Sequence, residues 1–270
     1  MGKPASALPD VVLEAWGDTD VGMKRRLNED VYLIDEESGI YLVADGMGGH
    51  TAGEVASRIA ANAIQNVLRN GTQLDDVTWP EHWDTDRSAA ANCLVDAIIE
   101  AHARVTEAVS ANQELKGMGT TVVAAVHPRR GRRLVIGHVG DSRAYLLREG
   151  ELEVLTDDHS WVHEQVTAGF LSEEAARSHP LKNVVTQALG GSTQPHVDVQ
   201  EIDLQADDVF LLCSDGLNTM LTDDRIAQLL TSSDALADVG RQLIVAANQA
   251  GGNDNVSVVL VRVKAIADGR

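Results

Sequence analysis

Short, mainly apolar β-like runs appear at 11–16, 31–34 and 40–44 and predict strands. Over 54–68 the spacing changes to alanine-rich apolar positions every third or fourth residue, which predicts a helix. The segment 71–87, GTQLDDVTWPEHWDTDR, carries Pro80, two tryptophans and little periodicity, so it reads as a loop between helices. A second long helix is predicted over 88–112.

Further strand-like runs at 120–127, 134–139, 144–148 and 152–155 are separated by turn clusters such as Pro128-Arg129-Arg130-Gly131 and Glu149-Gly150. Parallel neighbours need a crossover of roughly a dozen residues, so these short turns predict antiparallel hairpins. After an irregular stretch over 156–194 with short helical pieces, strands return at 197–203 and 209–213. Helices over 224–230 and 234–250 then precede a last strand at 256–263. Helices in two separated groups and strands in hairpins pack most simply as an α+β fold: a four-layer α/β/β/α sandwich, two antiparallel β-sheets flanked by helix pairs. With no repeat and no long linker, one domain is expected over 1–270, its core at about 11–263.

Composition adds constraints. Apolar residues make up 44% of the 270, an ordinary globular share, but aromatics only 3%, so the core is expected to consist of Val, Ile, Leu and Ala. Acidic residues outnumber basic ones 41 to 22, and a net charge of −19 argues against nucleic acid or an anionic membrane as partner. The same field repels phosphorylated ligands unless bound cations invert the local potential. Cys93 and Cys213 both sit in apolar stretches, which fits buried thiols in a reducing compartment. No apolar run reaches the about eighteen residues of a membrane span, and MGKPASALPD lacks the apolar core of a secretory signal, so a cytoplasmic location is expected. Gly2 and Ser6 match the short myristoylation pattern, against which Lys3-Pro4 speaks.

Four aspartates each lie beside glycine, serine or asparagine at the edge of an apolar run: Asp45 in IYLVADGMGGH, Asp141 in VIGHVGDSRAYL, Asp215 in VFLLCSDGL and Asp254 in GGNDNVSVVLV. Taken singly, each reads as ordinary turn chemistry. Gathered on one rim of a sandwich, however, such carboxylates repel one another unless cations lie between them. Oxygen donors suit magnesium or manganese; zinc would favour clustered histidine or cysteine, and the nine histidines are scattered along the sequence. His138, inside a strand-like run, reads as structural. Lys24-Arg25-Arg26 precedes Asn28-Glu29-Asp30. Alone this is a solvated charged turn, but beside a cation site an arginine can grip two phosphate oxygens at once.

The ordered series GMKRRLNED, VADGMGG, MGTT, GHVGDSRAYL, LTDDHS, LLCSDGL and GGNDNVSVV, from about Asp18 to Val263, resembles the metal-dependent type 2C serine/threonine protein phosphatases, particularly their compact bacterial members. The resemblance implies a β-sandwich flanked by helix pairs and two or three Mn2+ or Mg2+ ions. It implies Asp45 as the carboxylate bridging two ions, a carbonyl ligand from Gly46, Asp215 and Asp254 on the other ion, and Glu29 and Asp30 acting through water. Asp141 with Asp215 matches the positions of a third, weaker ion, Arg25 the phosphate-gripping arginine, and Asn255 a support for Asp254. The stretch after Asp158-His159-Ser160 resembles a flap that influences substrate choice. Phosphorylated proteins, and among them a cognate serine/threonine kinase and its substrates, are the implied partners of a monomeric enzyme.

One position departs from animal members: Met47 stands where they have a histidine proposed as the general acid, a difference that compact bacterial members share. His50 is a candidate for protonating the leaving oxygen, although a capping or structural role is preferred, and metal-bound water is the other source. The expected reaction is in-line attack on phosphorus by a water bridging two cations, whose pKa falls from about 15.7 towards about 7, without a covalent intermediate. Neither cysteine is followed by arginine at the spacing of a cysteine-dependent phosphatase. Gly46-Met47-Gly48-Gly49 is a poor dinucleotide loop, because Thr51 replaces the third glycine. A catalytically inactive relative that only binds phosphoproteins is the alternative, and the complete ligand set speaks against it.

Overall fold

The computed structural model describes residues 11–48, 52–71, 80–128 and 131–266. Two antiparallel sheets lie face to face. One has the order β1 (Val11–Asp20), β11 (Val256–Ile266), β10 (Val209–Cys213), β7 (Arg143–Arg148), β8 (Glu151–Val154). The other runs β2 (Asp30–Asp35), β3 (Ile40–Met47), β5 (Val122–Val126), β6 (Arg133–Val139), β9 (Asp198–Asp203), with the two-residue β4 (Gly119–Thr120) against β3. Helices α1 (Ala52–Gly71) and α2 (Ala89–Ala111) cover the second sheet. On the first sheet lie α5 (Asp215–Asn218), α6 (Asp223–Leu230) and α7 (Leu236–Gln249). Two short helices, α3 (Trp161–Thr167) and α4 (Glu173–Arg177), stand in the connection between β8 and β9.

Strand alternation sorts the apolar residues into three layers. Tyr41, Val43, Phe210, Leu212, Val259 and Val261 point between the sheets, whereas Leu42 and Ala44 face α1 and α2, and Leu211, Cys213 and Leu260 face α6 and α7. Continuous apolar runs such as 40–44 are therefore buried on both faces, and the four-layer expectation holds. Both cysteines are free and buried, as expected; burial holds the thiol of Cys93 up at about 11 and that of Cys213 up at about 12. Small residues let helices approach closely: a Cβ on Gly240 of α7 would lie 1.8 Å from the Trp16 ring of β1.

Several boundaries differ from the sequence reading, and three of them bear on the site. β1 continues through the polar Asp18-Thr19-Asp20, because its ladder with β11 runs to the Asp20–Val256 pair. β3 extends past Ala44 to Met47, its end pairing with β4. The Asp215 segment, read as a turn, is a short helix. Gly2 and Ser6, residues 72–79 of the 71–87 loop and Arg129-Arg130 lie outside the described residues. Among the described residues no helix is long and apolar enough to cross a membrane.

Candidate metal centre

Antiparallel order brings five chain segments to one rim of the sandwich: the start of β2, the end of β3, the β6–β7 turn, the end of β10 and the start of β11. Asp30 and Asp45 are register partners on β2 and β3. The Asp45 carboxyl is near enough to act on both the Asp30 and the Asp215 carboxyls, and Asp141 and Asp254 act on Asp215 electrostatically. The structure thus brings Asp45, Asp141, Asp215 and Asp254 together, with Asp30 as a fifth member.

The electrostatics of this group are unfavourable. Burial, followed by the charges of Asp30, Asp215, Asp141 and Asp254, pushes the Asp45 carboxyl well above the usual range. Asp215 is raised well above it by burial and by Asp141, Asp254 and Asp30. Burial pushes Asp30 up to about 6 against hydrogen bonds from Ser214 and Ser257, and Asp141 up to about 6, with Asp158 as the next cause. Asp30 Oδ1 and Asp215 Oδ1 are buried with no hydrogen-bond partner. Orphaned, mutually repelling carboxylate oxygens crowded at one rim are what a divalent cation neutralises, and an all-oxygen donor set fits Mg2+ or Mn2+.

Local structure fixes each member. Ser214 Oγ and Ser257 Oγ both donate to Asp30 Oδ2 at 2.7 Å, which ties the two sheets together at the site. The Asp45 backbone is held by Thr121, whose N–H donates to the Asp45 carbonyl at 2.9 Å and whose Oγ1 accepts from its N–H at 3.2 Å. Gly46 is packed so closely that a Cβ there would lie 2.1 Å from the Gly53 carbonyl oxygen. Glu29 sits at the same corner: its Oε1 accepts from Gly53 N–H at the start of α1, at 3.1 Å, and burial raises its pKa despite that bond and the nearby Arg25. Arg25, half exposed at the rim, donates from Nη2 to Asp254 Oδ2 at 2.6 Å.

Sequence reasoning missed several supports. Asn255 does more than flank Asp254: its Oδ1 accepts from Glu29 N–H at 2.8 Å, and its Nδ2 donates to the carbonyls of Val21 and Leu27 at 2.9 Å, so it shapes the whole arginine loop. Arg143 binds Asp158 through two bonds of 2.7 Å beside Asp141. The histidines are not all scattered in space, because His138, His159 and Asp198 bring ligand atoms within 4.8 Å of one another. Widely separated positions in sequence gave no signal of that cluster. Met47 pairs with Gly119 at the end of β3, and His50 lies outside the described residues.

A cleft of about 530 Å3 leads away from Asp141 and Asp215. Its walls are the 219–223 segment on one side and α3 and α4, with Arg177 and Lys182, on the other.

A β-sandwich whose carboxylate rim opens into a cleft is suited to holding divalent cations beside a bound ligand. Comparison with known proteins makes that specific. The family model for protein phosphatase 2C matches residues 24–260. "Serine/threonine phosphatase stp" of Listeria welshimeri is 38% identical over 255 residues, covering 93% of this chain and 96% of that protein. The crystal structure of the Mycobacterium tuberculosis serine/threonine phosphatase PstP/Ppp superimposes with a TM-score of 0.80 at 35% identity, covering 94% of this chain and 100% of that one. A structure of the PstP catalytic domain in complex with 2 manganese ions gives a TM-score of 0.78 at 33% identity, again covering 94% and 100%. The chain belongs to the protein phosphatase 2C family, and it is a protein phosphatase, a phosphoric monoester hydrolase.

Proposed function

We propose that the carboxylate rim holds two or three Mn2+ or Mg2+ ions, and that the enzyme hydrolyses phosphoserine and phosphothreonine in proteins by direct attack of water on phosphorus. The observation that carries this reading is the pair of buried, unpartnered oxygens on Asp30 and Asp215 beside the crowded Asp45 carboxyl. Asp45, the Gly46 carbonyl, Asp215 and Asp254 would together hold the two tighter ions. Asp141 with Asp215 would hold the outermost, weaker ion. Glu29 and Asp30 act through water; Asp30 Oδ2 is committed to Ser214 and Ser257, which leaves Oδ1 for that contact.

When bound, the cations supply Lewis acidity, lowering the pKa of water from about 15.7 towards about 7 and drawing charge from the phosphoryl oxygens. Arg25 exchanges Asp254 for two phosphoryl oxygens and so orients phosphorus towards the attacking water. Met47 offers no proton, and the leaving oxygen takes its proton from water. The cleft along α3 and α4 receives the polypeptide on one side of the phosphorylated residue. A cytoplasmic setting, phosphoprotein substrates and a cognate serine/threonine kinase complete the reading, with the domain spanning the chain.

Hydrolysis of a phosphothreonine peptide, measured with Mn2+, with Mg2+ and after chelation, tests it. Turnover with either cation and none after chelation is expected. Turnover that survives chelation, or absent turnover with both cations, would contradict it.

A further inference from the structure

Asp141 is held from both sides. Ser142 Oγ, the next residue, meets Thr121 Oγ1 at 2.7 Å, and Thr121 also holds the Asp45 backbone. On the other side Gly140 is clamped twice by His159: the His159 N–H donates to the Gly140 carbonyl at 2.9 Å, and the Gly140 N–H donates to His159 Nδ1 at 3.2 Å. Gly140 has φ +110°, and a Cβ there would lie 2.6 Å from Thr121 Cβ, so the bend that presents Asp141 calls for glycine.

The second of those bonds fixes the imidazole's proton. A ring nitrogen that accepts carries no hydrogen, so in the neutral ring the proton sits on Nε2, which donates to Asp198 Oδ2 at 2.7 Å. The His138 ring stacks on His159 at 4.7 Å and is itself anchored to the Asp157 carbonyl through Nε2 at 2.9 Å. His159 then has no lone pair left for a cation, although its ligand atoms lie close to those of His138 and Asp198. The cluster is a hydrogen-bond relay.

The geometry points to His159, oriented by Asp198, as a positioning residue for Asp141 that sets the affinity of the outermost cation subsite without touching the ion. This rests on the assignment of Asp141 to that subsite. Loss of a hydrogen-bonding support behind a metal ligand lowers affinity roughly 10- to 100-fold.

The test is a Mn2+ titration of chelator-stripped protein, with free Mn2+ followed by electron paramagnetic resonance, and melting temperatures recorded for each variant. His159→Phe removes both polar atoms, His159→Asn keeps an acceptor near the Nδ1 position, and Asp198→Asn, at a half-buried strand position, keeps the shape without the charge. His159→Phe is expected to weaken the loosest class of sites by about tenfold or more while leaving the tight sites unchanged, with His159→Asn partly restoring it and Asp198→Asn intermediate. Wild-type weak-site affinity in His159→Phe and in Asp198→Asn, or an equal loss across all sites, would overturn the positioning role. Should His159→Phe fail to fold, Asp198→Asn decides alone. Wild-type protein that binds no Mn2+ would overturn the cation reading as well, which separates the two failures.

Discussion

Arg25 Nη2 lies 2.6 Å from Asp254 Oδ2, so the cationic fork at the rim is held by a carboxylate of the aspartate cluster. The pairing ties substrate binding to metal binding, since Asp254 cannot serve a cation and Arg25 in full at once. Removing Arg25 takes away a charge-assisted phosphate contact worth about 1.5 to 3 kcal/mol, or roughly 10- to 150-fold in kcat/KM. Arg25→Ala is therefore expected to lower kcat/KM for a phosphopeptide by that factor without weakening Mn2+ binding, as a peptide kinetic series at varied Mn2+ would reveal. Weaker Mn2+ binding in this variant would count against the competition.

Asp45→Ala and Asp215→Ala should be far more damaging than Arg25→Ala, because each removes a shared donor from the centre of the cluster. In the chelated protein loss of the carboxyl helps: Asp45→Asn relieves the repulsion within the group and should raise the melting temperature at neutral pH. A lower melting temperature for chelated Asp45→Asn than for chelated wild type would contradict the repulsion.

The pH dependence follows from the sign of these shifts. Asp30 and Asp141 have folded pKa values raised from 3.8 to about 6, so their stabilisation is present at low pH and lost as pH rises through about 6. Buried His127 and His138, whose pKa values burial lowers from 6.5, act oppositely and cost stability as pH falls below that value. The histidine contribution is common to chelated and Mn2+-loaded protein and cancels in their difference. The increase in melting temperature on adding Mn2+ should therefore grow between about pH 4 and pH 7. A flat difference in differential scanning calorimetry would contradict carboxylate ligation.

Gly46→Ala should be severe for a steric reason, since its Cβ would overlap the Gly53 carbonyl at 2.1 Å and Glu29 O at 2.6 Å. Backbone on both sides cannot give way cheaply, and about 1 to 3 kcal/mol or more of stability should be lost in denaturant titrations, together with activity.

Asn255→Ala leaves Glu29 N–H and the carbonyls of Val21 and Leu27 without their partner. A loss of about 1 to 3 kcal/mol is expected in urea unfolding, with weakened phosphopeptide binding because the loop carrying Arg25 loosens.

Much of this was legible in the sequence because it is local. Short continuous apolar runs at 40–44 and 209–213 marked strands, and aspartates at apolar edges marked the rim. Asp30 was harder: its burial depends on Ser214 and Ser257, which reach it only when β2, β10 and β11 meet across the sandwich. The relay from Asp198 through His159 to Gly140 was invisible for the same reason, because its members come from β9, the start of the flap and the β6–β7 turn. The extension of β1 through Asp18-Thr19-Asp20 was hidden by its polarity, which pairing with β11 overrides.

The central claim is that this carboxylate rim holds the catalytic cations, and Mn2+ stoichiometry tests it most directly. Isothermal titration of chelator-stripped wild type should give two or three ions per chain, and Asp45→Asn should lose the tight sites together with phosphopeptide hydrolysis. Wild-type stoichiometry and affinity in folded Asp45→Asn would contradict the account.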